Sequence, residues 1–234
     1  MKAGMSRAML LLSATTMALL ALTACSSGSS QEEAKARPLP EQYPKELRPG
    51  EYRSEEFKPS FSFRVGKGWS TSEYASDYLG MGWAQKEGGL TFVNVQKVYK
   101  PIYKPTETST PKLVDAPEDL VGWFQSHPYL KTSKPEPVTV GGVKGQQFDV
   151  VAHEVPEDHL SICGAGCVDA IKGPSAELAG PLVVFFEGDR FHAIVLEDVK
   201  GETVYIDYGG PAPDFDEIAP EAQKVVDSVK WGDS

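Results

Sequence analysis

Apolar positions recur at every second residue in short runs, and glycine-rich pairs interrupt those runs, which is the pattern of half-buried β-strands joined by tight turns. Phe57, Phe61, Phe63 and Val65 mark a first strand that stops at Gly66-Lys-Gly68-Trp69. Residues 81–86 and 90–99 flank Glu87-Gly88-Gly89 and predict a hairpin. Residues 138–140 and 143–152 flank Gly141-Gly142, the strongest hairpin signal in the chain. Further on, 182–186, 191–197 and 203–208 are separated by Glu187-Gly188-Asp189 and Lys200-Gly201, which predicts a three-stranded antiparallel meander.

Two segments change to helical spacing. Asp115-Ala-Pro-Glu118 supplies an acidic cap with a glutamate three residues on, Leu120, Val121, Trp123 and Phe124 supply an apolar face, and Pro128 ends the helix. Phe215, Ile218, Ala222, Val225, Val226 and Val229 predict a C-terminal helix with Pro220 in its first turn. The expectation is an α+β domain, an antiparallel sheet of about six to eight strands with one central and one C-terminal helix packed on it. Residues 100–111, with Pro101, Pro105 and Pro111, predict a loop.

The N-terminus departs from this pattern. Lys2 and Arg7 precede an apolar stretch from Ala8 to Leu22, too short to cross a hydrocarbon core that takes roughly 20 residues. The stretch ends in Leu22-Thr23-Ala24-Cys25, which resembles the lipobox of bacterial lipoproteins. That resemblance implies cleavage after residue 24 and a diacylglyceryl and palmitate anchor on Cys25. With two or more acyl chains anchoring is stable, so the chain is expected on the outer face of a cell membrane or outer membrane, attached without spanning it. Residues 25–50 run from a Ser-rich start through Pro38, Pro40, Pro44 and Pro49 without an apolar period and read as a tether, leaving 51–234 as a single globular domain.

Three cysteines leave Cys163 and Cys167 once Cys25 carries the lipid. Their spacing, Cys163-Gly-Ala-Gly-Cys167, is compatible with disulfide geometry, and an extracytoplasmic compartment favours oxidation. The short loop gives little chain-entropy stabilisation, so the bridge would shape one surface loop.

Charge narrows the partners. The chain carries −10 overall, and loss of Lys2 and Arg7 with the signal peptide takes the mature chain to −12. That sign opposes both nucleic acid and anionic lipid, so no nucleic-acid role is expected and the lipid alone holds the domain at the membrane.

Phe61-Ser-Phe63 with Gly68-Trp69, the segment Leu120-Val-Gly-Trp123-Phe-Gln-Ser-His-Pro128, the hairpin Val138-Thr-Val-Gly-Gly-Val143 and the ending Pro220-Glu-Ala-Gln-Lys-Val-Val-Asp-Ser-Val-Lys-Trp231 together resemble the PsbP-like secreted proteins and lipoproteins of bacteria. The resemblance spans roughly 57–231. It implies an α/β/α-type sandwich that binds or assembles, and it carries no catalytic set.

Candidate chemistry is sparse. Ser109-Thr-Pro-Lys112 has the spacing of serine acyl-transfer enzymes but lies in a proline-rich loop instead of starting a helix, and no G-x-S-x-G elbow or phosphate-binding loop is present. His153, His159, Cys163 and Cys167 offer a zinc-competent donor set, although the two histidines are six apart with Pro156 between them and share no helix face. His127 suits a helix C-terminus and His192 a hydrogen-bonded position in an apolar strand. Asp214, Asp216, Glu217 and Glu221 suit the start of a helix, since the calcium-loop pattern is missing. Tyr99 and Tyr103 are candidates for a partner-facing surface. The sequence therefore predicts a non-enzymatic envelope binding or assembly module with no cofactor beyond the lipid on Cys25, meeting an envelope protein or a small ligand. The alternative is a small-ligand or metal-binding lipoprotein using the loop from His153 to Cys167.

Overall fold

Seventeen strands and two helices are formed by the residues that the computed structural model describes, 36–102, 111–157, 161–162, 164, 166–172 and 183–232, the side chains of Glu73 and Tyr74 excepted. All lie in one compact unit, Lys35–Ser234. The first strands are β1 (Arg37–Pro38), β2 (Lys45–Glu46), β3 (Gly50–Ser54), β4 (Phe61–Val65), β5 (Trp69–Ala75) and β6 (Tyr78–Trp83). Next come β7 (Gly89–Asn94), β8 (Lys97–Tyr99), β9 (Leu113–Asp115), helix α1 (Leu120–Ser126), β10 (Leu130–Thr132), β11 (Glu136–Val140) and β12 (Val143–Ala152). The rest are β13 (Cys167–Lys172), β14 (Val183–Phe186), β15 (Asp189–Val199), β16 (Glu202–Pro211), helix α2 (Ala212–Asp227) and β17 (Lys230–Trp231).

A central sheet runs β10-β12-β15-β16-β7-β6-β5-β2, with β11 folded back onto β12. Its strands are antiparallel, and both of its faces are covered. Along β16, Val204, Ile206 and Tyr208 point into one core and Tyr205 into the other; along β15, Ile194 and Leu196 oppose Ala193 and Val195. The first core holds Phe61, Phe63 and Val65 of a small sheet, β1-β3-β4-β17, with Ala222, Val225 and Val226 of α2. The second holds Leu120, Val121 and Phe124 of α1 with Val168, Ile171, Val183 and Phe185 of a third sheet, β14-β13-β8-β9. Strands buried on both faces have apolar residues at consecutive positions, which is why β15 and β16 read as near-continuous apolar runs.

The α+β class with one central and one C-terminal helix stands, but the strand number exceeds the expected six to eight, among the described residues alone. The excess consists largely of strands of two or three residues, such as β1, β2, β9, β10 and β17, too short to carry a period. The 182–208 meander divides: β15 and β16 pair, whereas β14 pairs with β13 in the third sheet. Helix α1 starts at Leu120, its N-cap Asp119 accepting from the Gly122 amide at 2.7 Å, because Asp115 is held in β9 opposite Lys97. Helix α2 starts at Ala212, eight residues before Pro220, which sits in its interior and forgoes one backbone bond.

The tether reading fails for its second half. Residues 37–50 add β1 to β3 and β2 to β5, and Leu39 and Leu47 are buried in the first core. Two isolated apolar residues among prolines have no period to announce them; the domain therefore begins near residue 35, not 51.

Candidate functional site

On the second face of the central sheet the side chains change along the strands from packed core to open space. Tyr205, Asp207, Gly209 and Pro211 follow one another on this face of β16, in register with Val195, Ala193, Phe191 and Asp189 of β15. On the other side Val93, Thr91 and Gly89 of β7 stand opposite Tyr205, Asp207 and Gly209. Beyond Tyr205 and Val93, which fill the core, the paired glycines allow close backbone approach, since a Cβ on Gly89 would run into the Met81 carbonyl oxygen and one on Gly209 into that of Arg190, and their backbone lines open space. Val184 and Phe186 of β14 and the Glu87-Gly88 turn complete the wall of a cavity of about 410 Å³. This is within the size range of small-molecule sites.

The cavity is acidic. Asp207 lines it and is 5% exposed; the Tyr205 hydroxyl donates to its Oδ2 at 3.1 Å and the Thr91 side chain also bonds it. Burial pushes its pKa up to about 7, against the pull of those two hydroxyls. Burial and the neighbouring Glu87 charge raise Asp189 as well. The basic residues that adjoin these acids in sequence are engaged elsewhere. Lys86 holds Asp214 at 3.2 Å and Glu217 at 2.9 Å on α2. Arg190 lies over the Phe215 ring, pairs with Asp149 at 2.8 Å and has Asp216 at 3.8 Å. Among the described residues, no ion pair reaches Glu87, Asp189 or Asp207.

A second polar group lies on the first face. His192 Nδ1 is 2.9 Å from Asp149 Oδ1, its Nε2 is 3.3 Å from Gln147 Oε1, and its ring stacks on Tyr208. Burial raises the Asp149 pKa, but bonds from Arg190 and His192 outweigh it and the net direction is down. Both imidazole nitrogens have neighbours and no nucleophile adjoins them in these contacts, so the group holds strands together. His192 thus occupies the hydrogen-bonded position expected for it.

The other candidates are dispersed. Cys25, Tyr103, Ser109, His159 and Cys163 lie outside the described residues, so neither the lipid site, the Cys163 to Cys167 bridge nor the full zinc donor set falls within them. Cys167 is buried at the start of β13. His153 is exposed beside Glu154, and among the described residues no group of three or more His, Cys, Asp or Glu is placed to hold a metal ion. Tyr99 corrects an expectation: it is 4% exposed, because β8 is an inner strand of the third sheet. His127 stands at the C-cap of α1, but it is its amide that donates to Phe124 O, while the buried ring accepts from the Tyr129 amide through Nδ1 at 3.3 Å. Of the four acids expected at the start of α2, Asp214 and Glu217 hold Lys86, Asp216 faces Arg190, and Glu221, nine residues into the helix, pairs with Lys224 at 2.6 Å.

The chain carries almost no local sign of the cavity. Asp207 is a carboxylate inside an apolar strand, followed by Gly209-Gly210-Pro211, and that was the available signal. Glu87-Gly88-Gly89 reads only as a turn; that Gly89 faces Gly209 is a property of strand register.

No protein-family model matches the chain, and no curated protein matches it. Among solved structures it is similar to the solution structure of cyanobacterial PsbP (CyanoP) from Synechocystis sp. PCC 6803, over 80% of this chain and 95% of that one, at 10% identity and a TM-score of 0.40. At that score the likeness carries no argument, and the fold rests on the strands and helices described above. Among the described residues no helix is long and apolar enough to cross a membrane.

Proposed function

We propose that this protein is a lipid-anchored, extracytoplasmic binding module of the cell envelope, without enzymatic activity, whose working site is the acidic cavity between β7, β16 and β14. In this reading Cys25 carries the anchor, Cys163 and Cys167 form a disulfide that shapes the loop before β13, and the domain is of the PsbP-like kind suggested by its sequence. The observation that carries the proposal is the cavity itself, about 410 Å³ with a buried carboxylate that no cation of the described residues offsets. A buried carboxylate without a countercharge is costly even when hydroxyls bond it, and sites that keep one are candidates for ligand contact.

The test is made in cells. A photo-crosslinking residue in place of Phe186, at the cavity mouth, is expected to give a discrete adduct in the membrane fraction. Cys25→Ala is expected to move the protein out of that fraction and abolish the adduct. Retention of Cys25→Ala in the membrane would overturn the anchor, and absence of any adduct from correctly placed protein would overturn the binding role.

A further inference from the structure

Resting on the reading of the cavity as a binding site, we infer that its ligand is a protonated primary amine with a compact apolar group, the ammonium on Asp207 and the apolar part against Phe186, Phe191 and Val184. Three observations converge on that class. The first is charge: Glu87, Asp189 and Asp207 all line the cavity, and Lys86 and Arg190 face α2 and β12 instead. The second is the lining, in which Val184, Phe186, Phe191 and Pro211 give apolar and aromatic surface, with Phe186 41% exposed at the rim. An aromatic wall beside carboxylates favours an organic cation, through the ring face as well as through charge. The described residues offer no three-ligand group for a metal ion.

The third is the geometry at Asp207. The hydroxyls of Tyr205 and Thr91 already use part of the acceptor capacity of its carboxylate. A guanidinium binds best when both oxygens are open to its planar fork, whereas an ammonium is a compact point donor that bonds a partly occupied carboxylate. Asp207 lies at the inner end of the cavity, next to the packed Tyr205, and Phe186 at the outer end, so a ligand with its amine at one end and its apolar group at the other matches the gradient. Burial of Asp207 supports the same class, because an arriving cation supplies the opposite charge that the fold leaves out.

The test is an NMR titration of the domain at about pH 8 with benzylamine, benzyl alcohol and benzoate, three probes of similar shape that differ in charge. Benzylamine is expected to shift the amides of Gly88, Gly89, Gly209 and Gly210 and to bind about tenfold or more tightly than either control. Asp207→Asn is expected to weaken benzylamine about tenfold while leaving benzyl alcohol unchanged. Because Asp207 sits in a packed strand, Phe186→Ala and Asp189→Asn serve as rim variants, each expected to weaken benzylamine about threefold with the rest of the spectrum unaltered. Equal or tighter binding of benzyl alcohol or benzoate would overturn the amine assignment and leave the cavity a binding site. No shift with any probe would overturn both.

Discussion

The Tyr205 hydroxyl donates to Asp207 Oδ2 at 3.1 Å, between residues two apart on one face of β16, both buried. The phenol packs in the second core while the carboxylate stands at its boundary with the cavity, so a single hydrogen bond joins packing to the candidate site. The same pair makes stability depend on pH. Burial raises Asp207 from its ordinary 3.8 to about 7, so between those values the folded protein holds a proton that the unfolded chain has released. The contribution is therefore fully present below about pH 4 and is lost as pH rises through about 7, by roughly 4 kcal/mol at most. Urea denaturation at about pH 4 and pH 8 measures it, and Asp207→Asn is expected to flatten the difference relative to the wild type.

Tyr205→Phe keeps the ring, which stacks on Phe124 at 5.4 Å, and removes the donor. A buried carboxylate then loses one of its two hydroxyl partners. The expected cost is about 1–3 kcal/mol at about pH 8 and less at about pH 5, where Asp207 is protonated. Equal costs at both pH values would show that the hydroxyl does not act through Asp207.

Leu47 is 1% exposed within a segment whose prolines disguise it as a linker. Leu47→Ala is expected to destabilise the domain by about 2–4 kcal/mol by equilibrium unfolding. A chain starting at residue 51 should likewise be less stable than one starting at residue 35; equal stability would return 37–50 to the role of a tether.

Gly141 and Gly142 both have positive φ, +56° and +85°, but their surroundings differ. A Cβ on Gly141 would lie 2.7 Å from the Trp231 ring, whereas one on Gly142 meets nothing within 4 Å. Alanine at Gly142 is expected to cost about 1 kcal/mol for backbone strain alone, and alanine at Gly141 about 2 kcal/mol or more, with displacement of Trp231 visible in its fluorescence.

Local features of this fold are written in the chain, and long-range ones are not. The Gly141-Gly142 hairpin, the helical faces of α1 and α2 and the pairing of β15 with β16 are local patterns, and they were legible. The placement of β14, the burial of Tyr99 and the docking of Leu39 and Leu47 depend on contacts between distant segments, which leave no period in the chain. The cavity was hidden for the same reason, since its lining comes together from β7 and from β14, β15 and β16, which lie far along the chain from it. Only Asp207, an acid in an apolar strand, marked its place.

Sharing of β15 and β16 between the two cores makes the layers inseparable in unfolding. Neither core can melt without disturbing strands that supply the other, so no layer is expected to open alone, and the domain should unfold in one transition. The amides of Ile194, Val195, Tyr205 and Ile206, on strands enclosed between the two cores, are expected to exchange with solvent only through that global event.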